Sequence, residues 1–308
     1  MQNFYPSSGK LFLAALAVGL LIAVEFPAFS QVPGAEHVVI IGCDGMSPNG
    51  ILKAKTPVMN QLMKEGAYTL HARGVMPTTS SPNWASMIMG AGPEQHGVTS
   101  NDWQTNKFDI VPTAVGSGGI FPTIFGLLRE QRRESVIACF YDWNDFGRLL
   151  EWKAPDILED SDGPTNAVQH AVAYIKQKKP TFTFIHLDHV DHAGHAIGHG
   201  TPEYYASVEV ADKLIGEVIQ GLKDAGIWKK TIILITADHG GVNKGHGGAT
   251  MVEIEIPWII FGPGVAVGKE IKKPVNTYDT AATVAYIFGL QPPECWIAKP
   301  VTDAFKMR

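Results

Sequence analysis

Carboxylate and imidazole side chains follow apolar runs at three places in this chain. They are Asp44; Asp191 and His195; and Asp238, His239 and His246. The preceding runs are short and rich in Val, Ile and Phe, which is typical of buried parallel strands. Open α/β sheets bind ligands beyond the carboxyl ends of their strands. The sequence therefore predicts a metal site at one sheet edge. Carboxylate and imidazole without thiolate suit Zn²⁺ best, with other divalent transition metals as alternatives.

A hydroxyl that could act as a nucleophile lies in the stretch 77–83. A helix is predicted at 82–89, and Ser80 just before it would lie at the positive end of the helix dipole, where alkoxide and phosphate are favoured. Asn83 is expected to donate a hydrogen bond to a non-bridging phosphate oxygen. Thr78, Thr79 and Ser81 are neighbours, and any of them could cap the helix.

The charges of these groups suit phosphoryl transfer. Two metals about 4 Å apart clamp the attacking and leaving oxygens in such reactions. Three carboxylates and one alkoxide balance two divalent ions. The resulting cluster is near neutral and does not repel an anionic substrate.

Strand and helix patterns alternate along the chain. Strands are predicted at 37–43, 68–75, 135–140, 181–187, 231–237 and 257–261. Helices are predicted at 57–65, 82–89, 122–130, 166–178, 202–225 and 277–288. This alternation predicts an α/β fold with a mostly parallel central sheet and helices on both faces. Two long polar stretches, 97–119 and 141–163, carry Trp103, Trp143 and Trp152 and are expected to wall a cleft.

The first 30 residues have the pattern of a secretory signal peptide. Lys10 precedes an apolar run at 11–24, and Ala28-Phe29-Ser30 offers small residues before Gln31. We expect cleavage there, a periplasmic or secreted protein, a single catalytic domain at 31–308 and no stable membrane anchor after cleavage. An uncleaved anchor is the alternative.

Composition excludes several functions. A formal net charge of −5 without basic stripes argues against binding to a nucleic-acid backbone. Cys43, Cys139 and Cys295 are too few for a disulfide scaffold, and none is assigned a catalytic role. The expected partner is a small-molecule phosphate ester.

Several phrases together resemble the alkaline phosphatase superfamily, and most closely its type I phosphodiesterase and nucleotide pyrophosphatase branch. They are Ile41-Gly-Cys-Asp44-Gly, Pro77-Thr-Thr-Ser80-Ser-Pro-Asn83, Asp191-x-x-Gly-His195, Asp238-His239-Gly, His246-Gly, Pro257-Trp-Ile-Ile-Phe-Gly-Pro-Gly264 and Asn276-Thr-Tyr-Asp279. The resemblance runs from His37 to about Pro292 and implies an alkaline-phosphatase-like fold.

The resemblance also implies the role of each residue. One zinc would be held by Asp44, Ser80, Asp238 and His239. A second zinc would be held by Asp191, His195 and His246. The family spacing selects Ser80 among its neighbours as the nucleophile, which forms a covalent phospho-serine intermediate.

The chain departs from the family pattern in two places. The nucleophile of this branch is often a Thr followed by an aromatic residue that stacks a base, whereas Ser81 follows Ser80 here. The segment between His239 and His246 is short, which removes much of a cap. Trp84 stands where a sulfatase needs Arg, which argues against a sulfatase.

We therefore expect a two-zinc phosphodiesterase. The alternatives are a phosphomonoesterase or phosphonate hydrolase of the same superfamily and, in another class, an inactive metal-binding or phospholipid-binding protein. Diesters are expected to be preferred to monoesters, because no Arg or Lys lies between Arg73 and Lys107. Lys244 is the basic residue closest to the metal motifs.

Overall fold

A computed structural model describes residues 1–2 and 32–306, so the predicted signal peptide lies outside the described residues except for its first two. The strands are β1 (His37–Cys43), β2 (Ala67–Arg73), β3 (Ile137–Tyr141), β4 (Ile157–Asp160), β5 (Phe182–Leu187), β6 (Thr231–Thr236), β7 (Glu255–Phe261) and β8 (Lys269–Glu270). The α-helices are α1 (Pro48–Lys53), α2 (Pro57–Glu65), α3 (Ser80–Met89), α4 (Pro93–His96), α5 (Ile124–Gln131), α6 (Pro164–Lys178), α7 (His189–Ala196), α8 (Pro202–Asp224), α9 (Met251–Ile254) and α10 (Asp279–Phe288). Within the described ranges, none of these helices has the length and apolar character needed to span a bilayer.

All eight strands belong to one sheet, in the order β4-β3-β5-β1-β6-β7-β2-β8. Neighbouring strands run parallel except where β7 lies between β6 and β2. The predicted mostly parallel α/β sheet is confirmed. The chain between β6 and β7 contains a glycine-rich turn and only the short helix α9, so β7 returns beside β6 in the opposite direction.

Helices cover the sheet in two groups. One group packs around α8 and includes α1, α2, α6 and α7, with α6 lying on β3 and β5. The other group packs around α3 and includes α4, α5 and α10. Every residue of β3, β5 and β6 is buried, which requires cover on both faces.

Several elements differ from the predicted pattern. The short elements β4, β8, α1, α4, α7 and α9 were not predicted. β4 lies within the stretch expected to be a loop and pairs only with β3, at the sheet edge. Helix α3 begins at Ser80 and not at Pro82, because the chain already turns after the extended residue Thr79. Ser80 therefore lies in the first turn of the helix.

Candidate metal centre

The carboxyl ends of three neighbouring strands lie level in the middle of the sheet. Cys43 at the end of β1 pairs with Leu187 at the end of β5, and Gly42 pairs with Thr236 at the end of β6. Because the strands end together, the residues that follow them share one edge of the sheet. The six predicted ligands lie there, after β1 and β6, on α7 and in the turn after β6: Asp44, Asp191, His195, Asp238, His239 and His246.

The buried position is the group formed by Asp44, Asp238, His239 and Ser80. His239 Nε2 lies 3.4 Å from Asp44 Oδ1 and 3.2 Å from Asp238 Oδ2. Neither of these buried carboxylate oxygens has a hydrogen-bond partner among the described residues. His239 Nδ1 lies 2.8 Å from the carbonyl oxygen of Gly240, which accepts its proton and leaves the Nε2 lone pair facing the carboxylates. This donor set fits a divalent cation.

The rim position is the group formed by Asp191, His195 and His246. His195 Nε2 lies 3.1 Å from Asp191 Oδ2, and His246 Nε2 lies 3.0 Å from His195 Nε2 and 3.9 Å from that carboxylate oxygen. The Nδ1 atoms of the two histidines lie 3.0 Å and 2.9 Å from the carbonyl oxygens of Lys244 and Thr78. If each Nδ1 donates its proton to that carbonyl, two Nε2 lone pairs face each other. A cation between them removes the repulsion.

The two positions adjoin each other. The His239 and His246 rings stack with their centroids 3.8 Å apart. Ligand atoms of Asp191, His239 and His246 lie within 4.8 Å of one another, as do those of Asp44, Asp238 and His239. The positions differ in exposure, since the side chains of Asp238 and His239 are 0% exposed and that of His195 is 47% exposed.

The carboxyl groups crowd one another without a cation. Burial and the charges of Asp44 and Asp188 raise the pKa of Asp191 to about 9. Burial and the charge of Asp44 also raise the pKa of Asp238 well above its usual value. Burial opposes ionisation of Asp44 too, but its contacts with His186 and His239 outweigh this and lower its pKa to about 2. A bound cation would favour the charged form of all three carboxylates.

The Ser80 hydroxyl faces the buried position from the first turn of α3, with Oγ 3.3 Å from His239 Nε2. Its neighbours point elsewhere. Thr78 Oγ1 donates to the carbonyl oxygen of Gly248 at 2.7 Å, and Ser81 Oγ accepts a hydrogen bond from an arginine. In the described contacts, Ser80 is the hydroxyl of this stretch that lies within hydrogen-bond distance of a predicted metal ligand.

Asn83 does not face a phosphate. Its side chain is fully buried, and Oδ1 accepts a hydrogen bond from the backbone N–H of Val75 at 2.6 Å. Its Nδ2 lies 3.3, 3.1 and 2.9 Å from the carbonyl oxygens of Val75, Pro77 and Thr79. Both amide protons therefore have backbone acceptors. Asn83 holds the segment before the nucleophile in place, and the predicted donation to a phosphate oxygen has no free donor in this geometry.

Two further residues lie beside the nucleophile and were not predicted. Asn101 Oδ1 accepts a hydrogen bond from the backbone N–H of Ser81 at 2.8 Å. Arg148 donates from Nη2 to Ser81 Oγ at 3.2 Å and to the carbonyl oxygen of Asn101, and it pairs with Asp145. Arg148 thus places a guanidinium beside Ser81, although no Arg or Lys lies between Arg73 and Lys107 in the sequence. Both residues come from the two long stretches expected to wall the cleft, which was the available sequence signal.

The Trp residues of those stretches differ in exposure. Trp103 is buried and Trp143 is half-buried. Trp152 is 66% exposed. The Nζ of Lys244 donates to the carbonyl oxygen of Ala196 at 2.8 Å. This basic residue is thus tied to the surface beside α7.

His186 supports the buried position from behind. It is fully buried, with Nε2 3.3 Å from Asp44 Oδ2 and Nδ1 3.3 Å from Asp142 Oδ1. Trp84 Nε1 donates to the same Asp44 oxygen at 2.9 Å. These contacts fix one oxygen of Asp44, while the other faces His239 without a hydrogen-bond partner among the described residues.

Comparisons of the sequence with known proteins agree with this geometry. The family model described as type I phosphodiesterase / nucleotide pyrophosphatase matches residues 38–246. Ectonucleotide pyrophosphatase/phosphodiesterase family member 1 of Mus musculus is 25% identical over 193 residues, which cover 60% of this chain and 21% of that protein. Ectonucleotide pyrophosphatase/phosphodiesterase family member 5 of Homo sapiens is 24% identical over 225 residues, which cover 69% of this chain and 46% of that protein. The chain thus spans between a fifth and a half of the length of these relatives.

Solved structures share the fold. Murine ectonucleotide pyrophosphatase/phosphodiesterase 5, determined as an inactive variant in complex with AMP, matches with a TM-score of 0.73 at 15% identity, covering 88% of this chain and 100% of that chain. A 2-O GAG sulfatase matches with a TM-score of 0.66 at 17% identity, covering 88% of this chain and 74% of that chain. These likenesses confirm an alkaline-phosphatase-like α/β architecture.

Proposed function

The chain belongs to the type I phosphodiesterase / nucleotide pyrophosphatase family, and from that premise we propose that it is a metal-dependent phosphodiesterase with Ser80 as nucleophile. One observation carries the proposal. The Ser80 hydroxyl lies 3.3 Å from His239 Nε2, at the N-terminus of a ten-residue helix, beside buried carboxylate oxygens that have no hydrogen-bond partner among the described residues. A helix N-terminus favours both the alkoxide and the phosphate.

Two divalent ions of the zinc class are part of the proposal. The buried position would hold one ion, through Asp44, Ser80, Asp238 and His239. Residues that would hold the other form the rim position, namely Asp191, His195 and His246. When bound, such ions lower the pKa of a hydroxyl ligand and stabilise charge on the attacking, leaving and non-bridging oxygens.

The reaction proceeds in two displacements. Ser80 Oγ loses its proton to solvent and attacks phosphorus, forming the Oγ–P bond while the bond from phosphorus to one alcohol oxygen breaks. The released alcohol takes up a proton. A water oxygen then attacks the phospho-serine, the Oγ–P bond breaks, Ser80 regains a proton and a phosphate monoester leaves. Each displacement is in line, so attacking and leaving oxygens lie on opposite sides of phosphorus.

Asn101 takes the role first expected of Asn83. Its amide oxygen is held by the backbone N–H of Ser81, one residue after the nucleophile. No acceptor for its Nδ2 occurs among the hydrogen bonds of residues 32–306, so this group is free to donate to a non-bridging oxygen. Asn101→Ala should lower kcat for diesters more than it raises KM.

The proposed substrate is a small phosphodiester. The AMP complex was determined for the murine protein and is not carried over to this chain. Ser81 here replaces the aromatic residue that often stacks a base. A panel of diesters with nucleoside, choline, glycerol and lipid alcohols would identify the leaving group. Export to the periplasm or medium is proposed from residues 1–30, and N-terminal sequencing of the exported protein tests it.

Turnover of bis-p-nitrophenyl phosphate by the zinc-loaded chain tests the proposal. Chelation should abolish turnover, zinc should restore it, and metal analysis should find close to two ions per chain. Ser80→Ala prepared in parallel controls for a contaminating hydrolase. Full activity after exhaustive chelation, or a chain that never binds metal, would overturn the proposed centre.

Two other functions are separated by the same assay. A phosphomonoesterase or phosphonate hydrolase is favoured by one observation, the proximity of Arg148 to Ser81, because a monoester dianion carries an additional charge. An inactive metal-binding or phospholipid-binding protein would bind zinc without turning over any substrate of the panel.

A further inference from the structure

His199 is a buried histidine whose ring nitrogens both lack a hydrogen-bond partner among the described residues. Its side chain is 4% exposed. It lies in the turn that follows α7, where its backbone N–H donates to the carbonyl oxygen of Asn243 at 2.7 Å. Burying an imidazole with no partner is unfavourable. The position of this ring therefore needs a partner that protein atoms do not supply.

Two glycines make room for the ring. A Cβ atom at Gly194 would lie 2.3 Å from His199 Nε2, and a Cβ atom at Gly241 would lie 2.2 Å from the same atom. Gly194 is on α7, and Gly241 is in the turn after β6. The Tyr204 ring packs on the His199 ring with its centroid 5.1 Å away. The ring is thus confined between the two segments that carry the predicted ligands.

A charged atom of the rim position lies close to His199 Nε2. His199 Nε2 lies 3.7 Å from Asp191 Oδ1, which also has no hydrogen-bond partner among residues 32–306. This separation is too long for a hydrogen bond. Two ligand atoms each about 2.1 Å from a tetrahedral zinc lie roughly 3.4 Å apart. The gap is therefore close to that between two ligands of one ion.

The exposure of the predicted ligand His195 is a reason to look for a further ligand of the same ion. His195 lies on the surface with 47% of its side chain exposed, whereas His199 is enclosed. The rings of these two histidines lie 6.5 Å apart.

We propose that His199 is a fourth protein ligand of the metal ion at the rim position, together with Asp191, His195 and His246. The proposal rests on the metal centre of the proposed function and adds a ligand that the family pattern does not imply. The ion is a divalent transition metal such as Zn²⁺ or Co²⁺. His199 anchors it from the protein side and leaves the exposed His195 as the ligand that exchanges most easily.

Metal binding by the metal-free chain tests the proposal independently of activity. Zn²⁺ and Co²⁺ would be titrated into the wild type, His199→Ala and His192→Ala, with a chelating dye as competitor. His192 is an exposed histidine of α7, the helix that carries Asp191 and His195, and serves as the matched control. We expect His199→Ala to weaken binding of the second ion at least roughly tenfold, to change the visible Co²⁺ spectrum and to leave the first ion unaffected. His192→Ala should match the wild type.

A second variant keeps the test decisive if His199→Ala does not fold. His195→Ala should still bind two ions, because Asp191, His246 and His199 remain, whereas the double variant His195→Ala/His199→Gln should bind one. Loss of the second ion in His195→Ala alone, or equal affinity and spectrum in folded His199→Ala and wild type, would overturn the proposal. A wild type that binds no metal would instead refute the proposed centre itself.

Discussion

The buried position and the rim position use similar ligands in different surroundings. Asp44, Asp238 and His239 leave the ends of two central strands and are enclosed. The rim ligands come from a short helix and from the glycine-rich turn around His246, and one of them is largely exposed. The difference indicates that one position is rigid before any ion binds, whereas the other depends on surface segments.

Contacts behind the ligands reinforce the difference. Asp44 is held by Trp84 and His186 from the core, and its carboxylate orientation is set by the sheet. His195 and His246 are held through backbone carbonyls of loop residues. Ser80, the proposed nucleophile, contacts the buried position. Under the proposed function, the attacking group is therefore fixed, while the leaving side of the cleft can adjust to different alcohols.

The largest expected effect concerns the nucleophile at the buried position. Ser80→Ala removes both the attacking oxygen and a metal ligand, so kcat for bis-p-nitrophenyl phosphate should fall by roughly 10³-fold or more. Thr79→Ala and Ser81→Ala are the controls and should retain most of the turnover. Near-normal activity in Ser80→Ala with loss in Thr79→Ala would place the nucleophile one residue earlier.

The next effect separates the two positions directly. Asp238→Asn should empty the buried position and lower kcat roughly 10²-fold or more, because charge stabilisation at the attacking oxygen is lost. Asp191→Asn should mainly empty the rim position and leave the other ion bound. Metal content and kcat would be measured for both variants. Equal loss of both ions from both variants would show that the two positions bind cooperatively as one unit.

The sequence could place the proposed ligands together because they follow strands that are buried on both faces. Runs such as Val38–Ile41 have no polar alternation, so their extended structure and their level ends could be expected from the sequence. The position of Arg148 could not be expected from the sequence, because its contact with Ser81 depends on how a long polar stretch folds back over α3. Long-range loop contacts leave no periodic signal.

Asn83 shows a different limit of sequence reasoning. Its place in the first turn of a helix suggested a donor that faces the substrate. In the structure its amide donates to the carbonyl groups of Pro77 and Thr79 in the segment before it, so the side chain turns towards the backbone instead. The short strands β4 and β8 were missed for a related reason, since they depend on pairing with a neighbour at an edge.

Acid should weaken the fold itself through a buried histidine. Burial lowers the pKa of His96, which lies on α4, to about 3. The usual pKa of a histidine is 6.5, so below pH 6.5 the unfolded chain binds a proton at His96 more readily than the folded chain does. The contribution of neutral His96 to the free energy of unfolding is therefore lost as pH falls from 6.5 towards about 3. The loss is at most about 1.4 kcal/mol per pH unit. Denaturant unfolding of the metal-free chain between pH 7 and pH 5 should show a smaller decrease in His96→Gln than in the wild type.

If the free energy of unfolding decreases equally with pH in His96→Gln and wild type, the acid sensitivity belongs to other groups. In that case metal content would be measured at each pH as well.

The smallest expected effect concerns selectivity. We still expect kcat/KM for bis-p-nitrophenyl phosphate to exceed that for p-nitrophenyl phosphate, since Arg148 is already paired with Asp145. Arg148→Gln should lower the monoester rate a few-fold more than the diester rate, and Asp145→Asn should favour the monoester. A clear excess for the monoester in the wild type would assign the enzyme to the monoesterases and give Arg148 the phosphate-binding role.

The order of strands in the sheet has a consequence for how this protein matures. β5, β1 and β6 are neighbours in the sheet but lie far apart along the chain. Pairing of such distant segments closes long loops and is slow compared with local helix formation. A partly folded chain therefore has the ligand residues but no site. If the proposed centre binds zinc, zinc uptake should report completed folding, and a proteolytic fragment that lacks β6 should not acquire the ion of the buried position.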